Sequence, residues 1–91
     1  MTLTRTSVPA LRRGVRRQFD KARNVAILMA PEKVIMLDDV ADAILAECDA
    51  VSSIEDITLR LSVRFATPAE EVQGDVLAFL QTLHDQGLIQ S

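Results

Sequence analysis

Few side chains in this chain have the types and spacing for chemistry. His84 is followed by Asp85, an acid-base combination by residue type. Neighbours one apart on a helix do not face each other, and general acid-base catalysis needs an oriented partner within hydrogen-bond reach. Cys48 is the one thiol. It falls on an apolar stripe, whereas reactive thiols occupy electropositive, partly exposed positions. One cysteine cannot form an internal disulfide, and one cysteine with one histidine falls short of the ligands of a zinc site. The glycines, Gly14, Gly74 and Gly87, are too scattered for a phosphate-binding loop. No catalytic residue, cofactor site or metal site is therefore expected.

The other chemistry-bearing group is basic. Seven of the ten Lys and Arg residues lie in residues 1–23 with the single acid Asp20, a balance of +6, and the rest of the chain has three bases against twelve acids, −9. Such a split suits a chain whose ends meet different partners, or whose basic segment crosses an acidic body. Arg12, Arg13, Arg16 and Arg17 are the candidates for steering a partner by long-range attraction. Ninety-one residues with 48% apolar and 25% charged side chains describe a single small globular domain rather than a disordered or fibrous chain. No apolar run approaches the ~18 residues of a membrane span, and no secretory signal follows the arginines. A soluble cytoplasmic protein is expected.

These residues must be positioned by short elements. Residues 1–10 lack periodicity and are read as a flexible lead-in, leaving residues 11–91 as the domain. Val15, Arg17 and Phe19 alternate with Arg16, Gln18 and Asp20, a strand with two distinct faces. After a turn at Lys21–Asn24, residues 25–30 form a central strand that wants cover on both faces. Ala30-Pro31-Glu32-Lys33 is a turn with proline in its favoured second place, and Val34–Leu37 gives a third strand. The period then lengthens to that of helices. Val40, Ile44 and Cys48 mark a helix over 39–49 capped by Asp38. Ser53 caps a second, with Ile54, Ile57, Leu61 and Phe65 inward. Thr67-Pro68-Ala69-Glu70 predicts a third, with Thr67 as cap and Pro68 in the first turn; Val72, Val76, Phe79, Leu80 and Leu83 form its inner face. Gly87 ends it in a left-handed cap with Leu88 as the apolar contact. The fold class is α+β, a three-stranded antiparallel sheet followed by a three-helix bundle.

Apolar surface is left over. Leu59 and Val63 point away from the inner stripe of the second helix and are candidates for self-association. The third strand, Val34, Ile35, Met36 and Leu37, is an edge without charge and with apolar side chains on both faces. Natural edges are blunted by charge, proline or bulges. An open one is covered by a second copy or offered to an extended peptide.

The order of these pieces, RGVRRQFDK, VAILMAPEKVIMLDD, AILAECD, SIEDITLRL and EEVQGDVLAFLQTLHDQGLI, resembles the pyrroloquinoline quinone biosynthesis protein D family from about Pro9 to Ile89. Leu37-Asp38, Ile44-Leu45, Asp75-Val76 through Leu83 and Gly87-Leu88 carry the match. Where the family commonly continues Asp-Gly after the first helix, this chain has Asp49-Ala50, and alanine resists the positive φ that glycine accepts. The resemblance implies a winged-helix-like peptide recognition element without chemistry of its own. It would bind the ribosomally made precursor peptide of the redox cofactor pyrroloquinoline quinone and present it to a radical S-adenosylmethionine enzyme that joins a glutamate to a tyrosine. The peptide would add beside Val34–Leu37, over a helix flank of Gln73, Leu77, Leu80 and His84.

Two other classes fit the element order, a DNA-binding winged-helix regulator and a dimerising structural module. A DNA-recognition helix presents Arg, Lys, Asn or Gln to base edges. Residues 67–86 contain no Lys or Arg and four acids, Glu70, Glu71, Asp75 and Asp85, which phosphates would repel. A homodimer remains compatible with the open edge, and nucleic acid and membrane are not expected partners.

Overall fold

A two-residue turn at Pro31-Glu32 and a four-residue turn at Lys21–Asn24 fold three strands into a meander in the computed structural model, which describes residues 2–91. Met1, the first residue of the expected lead-in, lies outside them. After a two-residue strand β1 (Ala10–Leu11), the meander is β2 (Arg16–Asp20), β3 (Val25–Ala30) and β4 (Lys33–Leu37). The sheet order is β2-β3-β4, antiparallel throughout, so β2 and β4 are its two edges. In the first turn the Asp20 carboxylate accepts from the amides of Ala22 and Arg23, and Asn24 takes the left-handed conformation with φ 56°. Asparagine tolerates that region because its short side chain bonds locally.

Alternation along the strands decides what each face meets. Ala26, Leu28, Ala30, Ile35 and Leu37 join the hydrophobic core with residues of all three helices, α1 (Asp39–Ala46), α2 (Ile54–Phe65) and α3 (Ala69–Asp85). Val25, Ile27, Met29, Val34 and Met36 share the other face. Leu28 on the core face and Ile27 on the other are both buried, so the cover expected on both faces of the central strand is present at its middle, with Val25 and Met29 half-buried beside Ile27. The expected α+β architecture of three strands and three helices is what the chain adopts.

Helix boundaries follow local hydrogen bonds. Asp38 caps α1 by accepting from the Ala41 amide at 2.7 Å. The helix ends at Ala46, three residues before the expected 49, because the amides of Glu47 and Cys48 turn to carbonyls three residues back. The Ser53 hydroxyl accepts from the Asp56 amide at 3.1 Å, as its position in the sequence predicts. The expected cap of α3 is corrected. Pro68 occupies the cap position and no side chain caps it. The Thr67 hydroxyl donates to the Phe65 carbonyl and its amide bonds to Ser62, so the short α2–α3 connection uses Thr67 to finish α2 rather than to start α3. At the other end, Gly87 has φ 76°, its amide bonds to the His84 carbonyl, and the Leu88 amide bonds to that of Leu83. This paired arrangement closes the orphan carbonyls of the last turn.

Residues 2–9, within the segment read as a flexible lead-in, are packed as an arm on the body. Leu3 and Pro9 are buried. The Leu3 amide donates to the Gln81 Oε1 at 2.7 Å. The carbonyls of Ser7 and Arg5 accept from Ile54 and Glu55, the first two amides of α2. A helix start leaves such donors without partners inside the helix, and here the arm supplies them. The arm continues into β1, which pairs antiparallel with β5 (Ile89–Gln90), a two-stranded ribbon that the periodicity did not reveal. Among the described residues no helix is long and apolar enough to cross a membrane.

Candidate peptide-binding trough

The free edge of β4 has a defined chemistry. Ala30 and Lys33 flank the two-residue turn as directly opposed partners, a geometry that closes only if they exchange both hydrogen bonds. Bonded and non-bonded pairs alternate from there, so Leu28–Ile35 and Ala26–Leu37 also bond inward. The amides and carbonyls of Val34 and Met36 consequently face away from β3. Their side chains stand on the outer face of the sheet, 53% and 65% exposed.

Beside this edge lies an open cleft of about 500 Å³, whose walls come from β4 (Ile35, Met36), the start of α1 (Asp38, Val40) and one side of α3 (Asp75, Ala78, Phe79, Thr82). A second cleft of about 350 Å³ continues it toward the end of α2, between Phe65 and Val72. The two share Val40, Ile44 and Asp75, so together they form one trough running from the β4 edge along α3. Its walls are largely apolar. At the far end the Arg64 guanidinium lies 5.3 Å from the Phe65 ring centroid, within cation–π range.

The structure brings β4 and α3 together but corrects the expected helix flank. Leu80 is fully buried in the core. Gln73, Leu77 and His84 are half-buried on a side of α3 that lies about 170° round the helix from the side formed by Asp75, Ala78, Phe79 and Thr82. The buried stripe of a helix can be read from spacing, but which flank then borders a given strand depends on how the helix is docked. Phe79 stands at the boundary of stripe and flank and was legible only as core. Val40, 49% exposed, was read as core of the first helix yet lines both halves of the trough.

The remaining candidates lie elsewhere. Arg16 and Arg17 sit on β2, the opposite sheet edge, about 10 Å from β4 across two strand spacings. The Arg17 Nη1 donates to the Asp42 Oδ1 at 2.8 Å. Arg12 and Arg13 precede β2 and are exposed. Leu59 and Val63 are 54% and 84% exposed on α2. The His84 Nδ1 and Asp85 Oδ1 are 4.0 Å apart, too far for a hydrogen bond, and Asp85 accepts instead from the Gln81 amide. Burial, with the charges of Asp49 and Glu47, pushes the Cys48 thiol up to about 12. Its Sγ faces the Ile44 carbonyl. A thiol so held is protonated and unreactive at neutral pH.

The loop after α1 shows how this chain manages without glycine. Ala50 adopts φ 66° nonetheless. The Asp49 carboxylate accepts from the Ser52 and Val51 amides and from the Ser52 hydroxyl, which holds the turn and pulls the carboxyl below its ordinary value.

A sheet edge whose only charge is Lys33 at its start, beside a largely apolar trough, has the form of a strand-addition site. Comparison with known proteins bears on whose site it is. The sequence pattern of coenzyme PQQ synthesis protein D (PqqD) matches residues 25–89. The chain belongs to the PqqD family. A relative from Xanthomonas campestris pv. campestris (strain B100), named PqqA binding protein, is 41% identical over 88 residues, 97% of this chain and 96% of that protein. A PqqA binding protein from Xanthomonas axonopodis pv. citri (strain 306) is 40% identical over 87 residues, 96% and 95% of the two chains. The solution structure of the PqqD truncation of Methylobacterium extorquens PqqCD, described as a functional and stand-alone RiPP recognition element, superposes with a TM-score of 0.87 at 31% identity, covering 99% of this chain and 96% of that one. The crystal structure of PqqD from Xanthomonas campestris gives a TM-score of 0.63 at 40% identity, covering 99% and 100%.

Proposed function

We propose that this chain binds the ribosomally made precursor peptide of pyrroloquinoline quinone, PqqA, and presents it to the radical S-adenosylmethionine enzyme that joins a glutamate to a tyrosine. The observation that carries this reading is the free edge of β4 beside the trough, in a chain whose relatives are named for binding PqqA. The peptide adds as a fourth strand. Its backbone pairs with the amides and carbonyls of Val34 and Met36, bonds that accept many sequences. Alternate side chains then fall toward Val40, Ala78 and Phe79, where burial of apolar area distinguishes one peptide from another. The protein acts in the cytoplasm as a binding and presenting component rather than as a catalyst.

The basic residues Arg12, Arg13, Arg16 and Arg17 have a separate role in this reading. Lying away from the trough, they steer an acidic surface of the enzyme toward the β2 edge, leaving the β4 edge to the peptide. A further reading concerns Leu59 and Val63, whose exposure favours dimerisation at high concentration. Sedimentation of the parent against a Leu59→Lys, Val63→Glu variant tests it; a parent that stays monomeric far above micromolar concentration removes it.

Amide chemical-shift mapping with PqqA tests the main reading. Shifts are expected at Val34–Leu37, Val40, Ala78 and Phe79. Shifts confined to β2 or to the outer side of α2 would sink it.

A further inference from the structure

We infer that Asp75 selects for a cationic side chain in the bound peptide, a lysine or arginine seated where the two halves of the trough meet. This rests on the peptide-binding reading and specifies the chemistry of its ligand. Asp75 lines both clefts, alongside Val40 and Ile44. Asp38 stands on the wall of the first and Glu71 on the wall of the second, and no Lys, Arg or His lines either. Of these, Asp38 already accepts the Ala41 amide as the cap of α1. Asp75 and Glu71 make no ion pair among the described residues, whose Arg–carboxylate pairs are Arg17–Asp42, Arg23–Asp20 and Arg60–Glu47. Arg64, beside the far end, lies over the Phe65 ring instead.

The placement matters more than the number of charges. Glu71 and Asp75 are four apart on α3, where like charges repel along the helix. That cost is carried on an exposed stretch of α3 whose neighbours on the wall are largely apolar and which no cation of this chain neutralises, so the negative potential lies along the trough. A cation delivered by the peptide relieves the repulsion and gains a charge-assisted bond, while its apolar neighbours on the same strand face occupy the Val40 and Phe79 walls. An acidic side chain at that register meets the same potential with the opposite sign. The trough thus rejects acidic segments while the arginines on the far sheet edge attract acidic surfaces, so the two partners are sorted to opposite edges of one sheet.

The test is a titration of PqqA against the parent, Asp75→Asn and, as a control acid on α3 that lines neither cleft, Asp85→Asn, each at low and high salt. Asp75→Asn is expected to bind about tenfold more weakly at low salt, with the difference shrinking as salt screens the pair, and Asp85→Asn is expected to match the parent. Peptides with each Lys or Arg replaced by Gln in turn should include one that binds the parent as weakly as the unaltered peptide binds Asp75→Asn, with no further loss when the two changes are combined. A parent that binds no PqqA overturns both this inference and the proposed function. A parent that binds, with Asp75→Asn unchanged or with Asp85→Asn equally weakened, overturns this inference alone.

Discussion

Ala30 and Lys33 face each other across the Pro31-Glu32 turn, and that single pairing decides which amides of β4 are spent inside the sheet and which are free. Proline separates the two kinds. Met36→Pro removes an outward donor, which an edge strand tolerates, and is expected to keep the fold while weakening PqqA binding about tenfold, near the upper value of a lost hydrogen bond. Ile35→Pro removes an inward bond to Leu28 and should instead unfold the sheet. Circular dichroism with peptide titration checks both; a folded Met36→Pro that binds like the parent would show that the peptide does not pair here.

The trough wall that α1 contributes and the far flank of α3 make opposite predictions. Val40→Ser faces the trough and should raise the peptide dissociation constant about tenfold, mainly through faster dissociation, because about 1.5 kcal/mol of apolar burial is forfeited. Leu77→Ser, on the far flank, should leave peptide affinity within about twofold of the parent. Surface kinetics on the two variants discriminates the flanks, and the reverse order of effects would restore the Gln73, Leu77 and His84 side as the site.

Replacing Arg12, Arg13, Arg16 and Arg17 with glutamine should slow association with the radical enzyme about tenfold at low salt and flatten its salt dependence, with dissociation little changed. The cost in stability should stay below about 1 kcal/mol, since the Arg17–Asp42 pair is largely exposed. Stopped-flow measurement at two salt concentrations checks this. An unchanged association rate would leave the arginines as a solvated edge.

Ala50→Gly should stabilise the protein by about 0.5–1 kcal/mol. An L-residue in the left-handed region costs roughly 1–2 kcal/mol, and the larger conformational freedom that glycine loses on folding takes back part of the gain. Urea unfolding of the variant beside the parent measures it. Ala66→Gly, at φ 50° after α2, should behave alike.

The periodicities of this chain carried its element order. Alternation in residues 15–20, the unbroken apolar run of residues 25–30 and four-residue steps from Val40, Ile54 and Val72 reflect the two backbone repeats, and Ser53, Asp38 and Gly87 mark ends through bonds made within a few residues. Such properties are local, so one chain suffices to read them. An uncharged Val34–Leu37 likewise announced an open edge. What depended on docking could not be read this way. The flank of α3 that borders β4 follows from the rotation at which its buried stripe meets the sheet and α2, which put Asp75 and Phe79 beside the edge and turned Leu77 away. The arm of residues 2–9 has no period because it forms neither element. Its place is set by two carbonyls meeting the amides of Ile54 and Glu55 across some fifty intervening residues, a relation that exists only after the chain has folded.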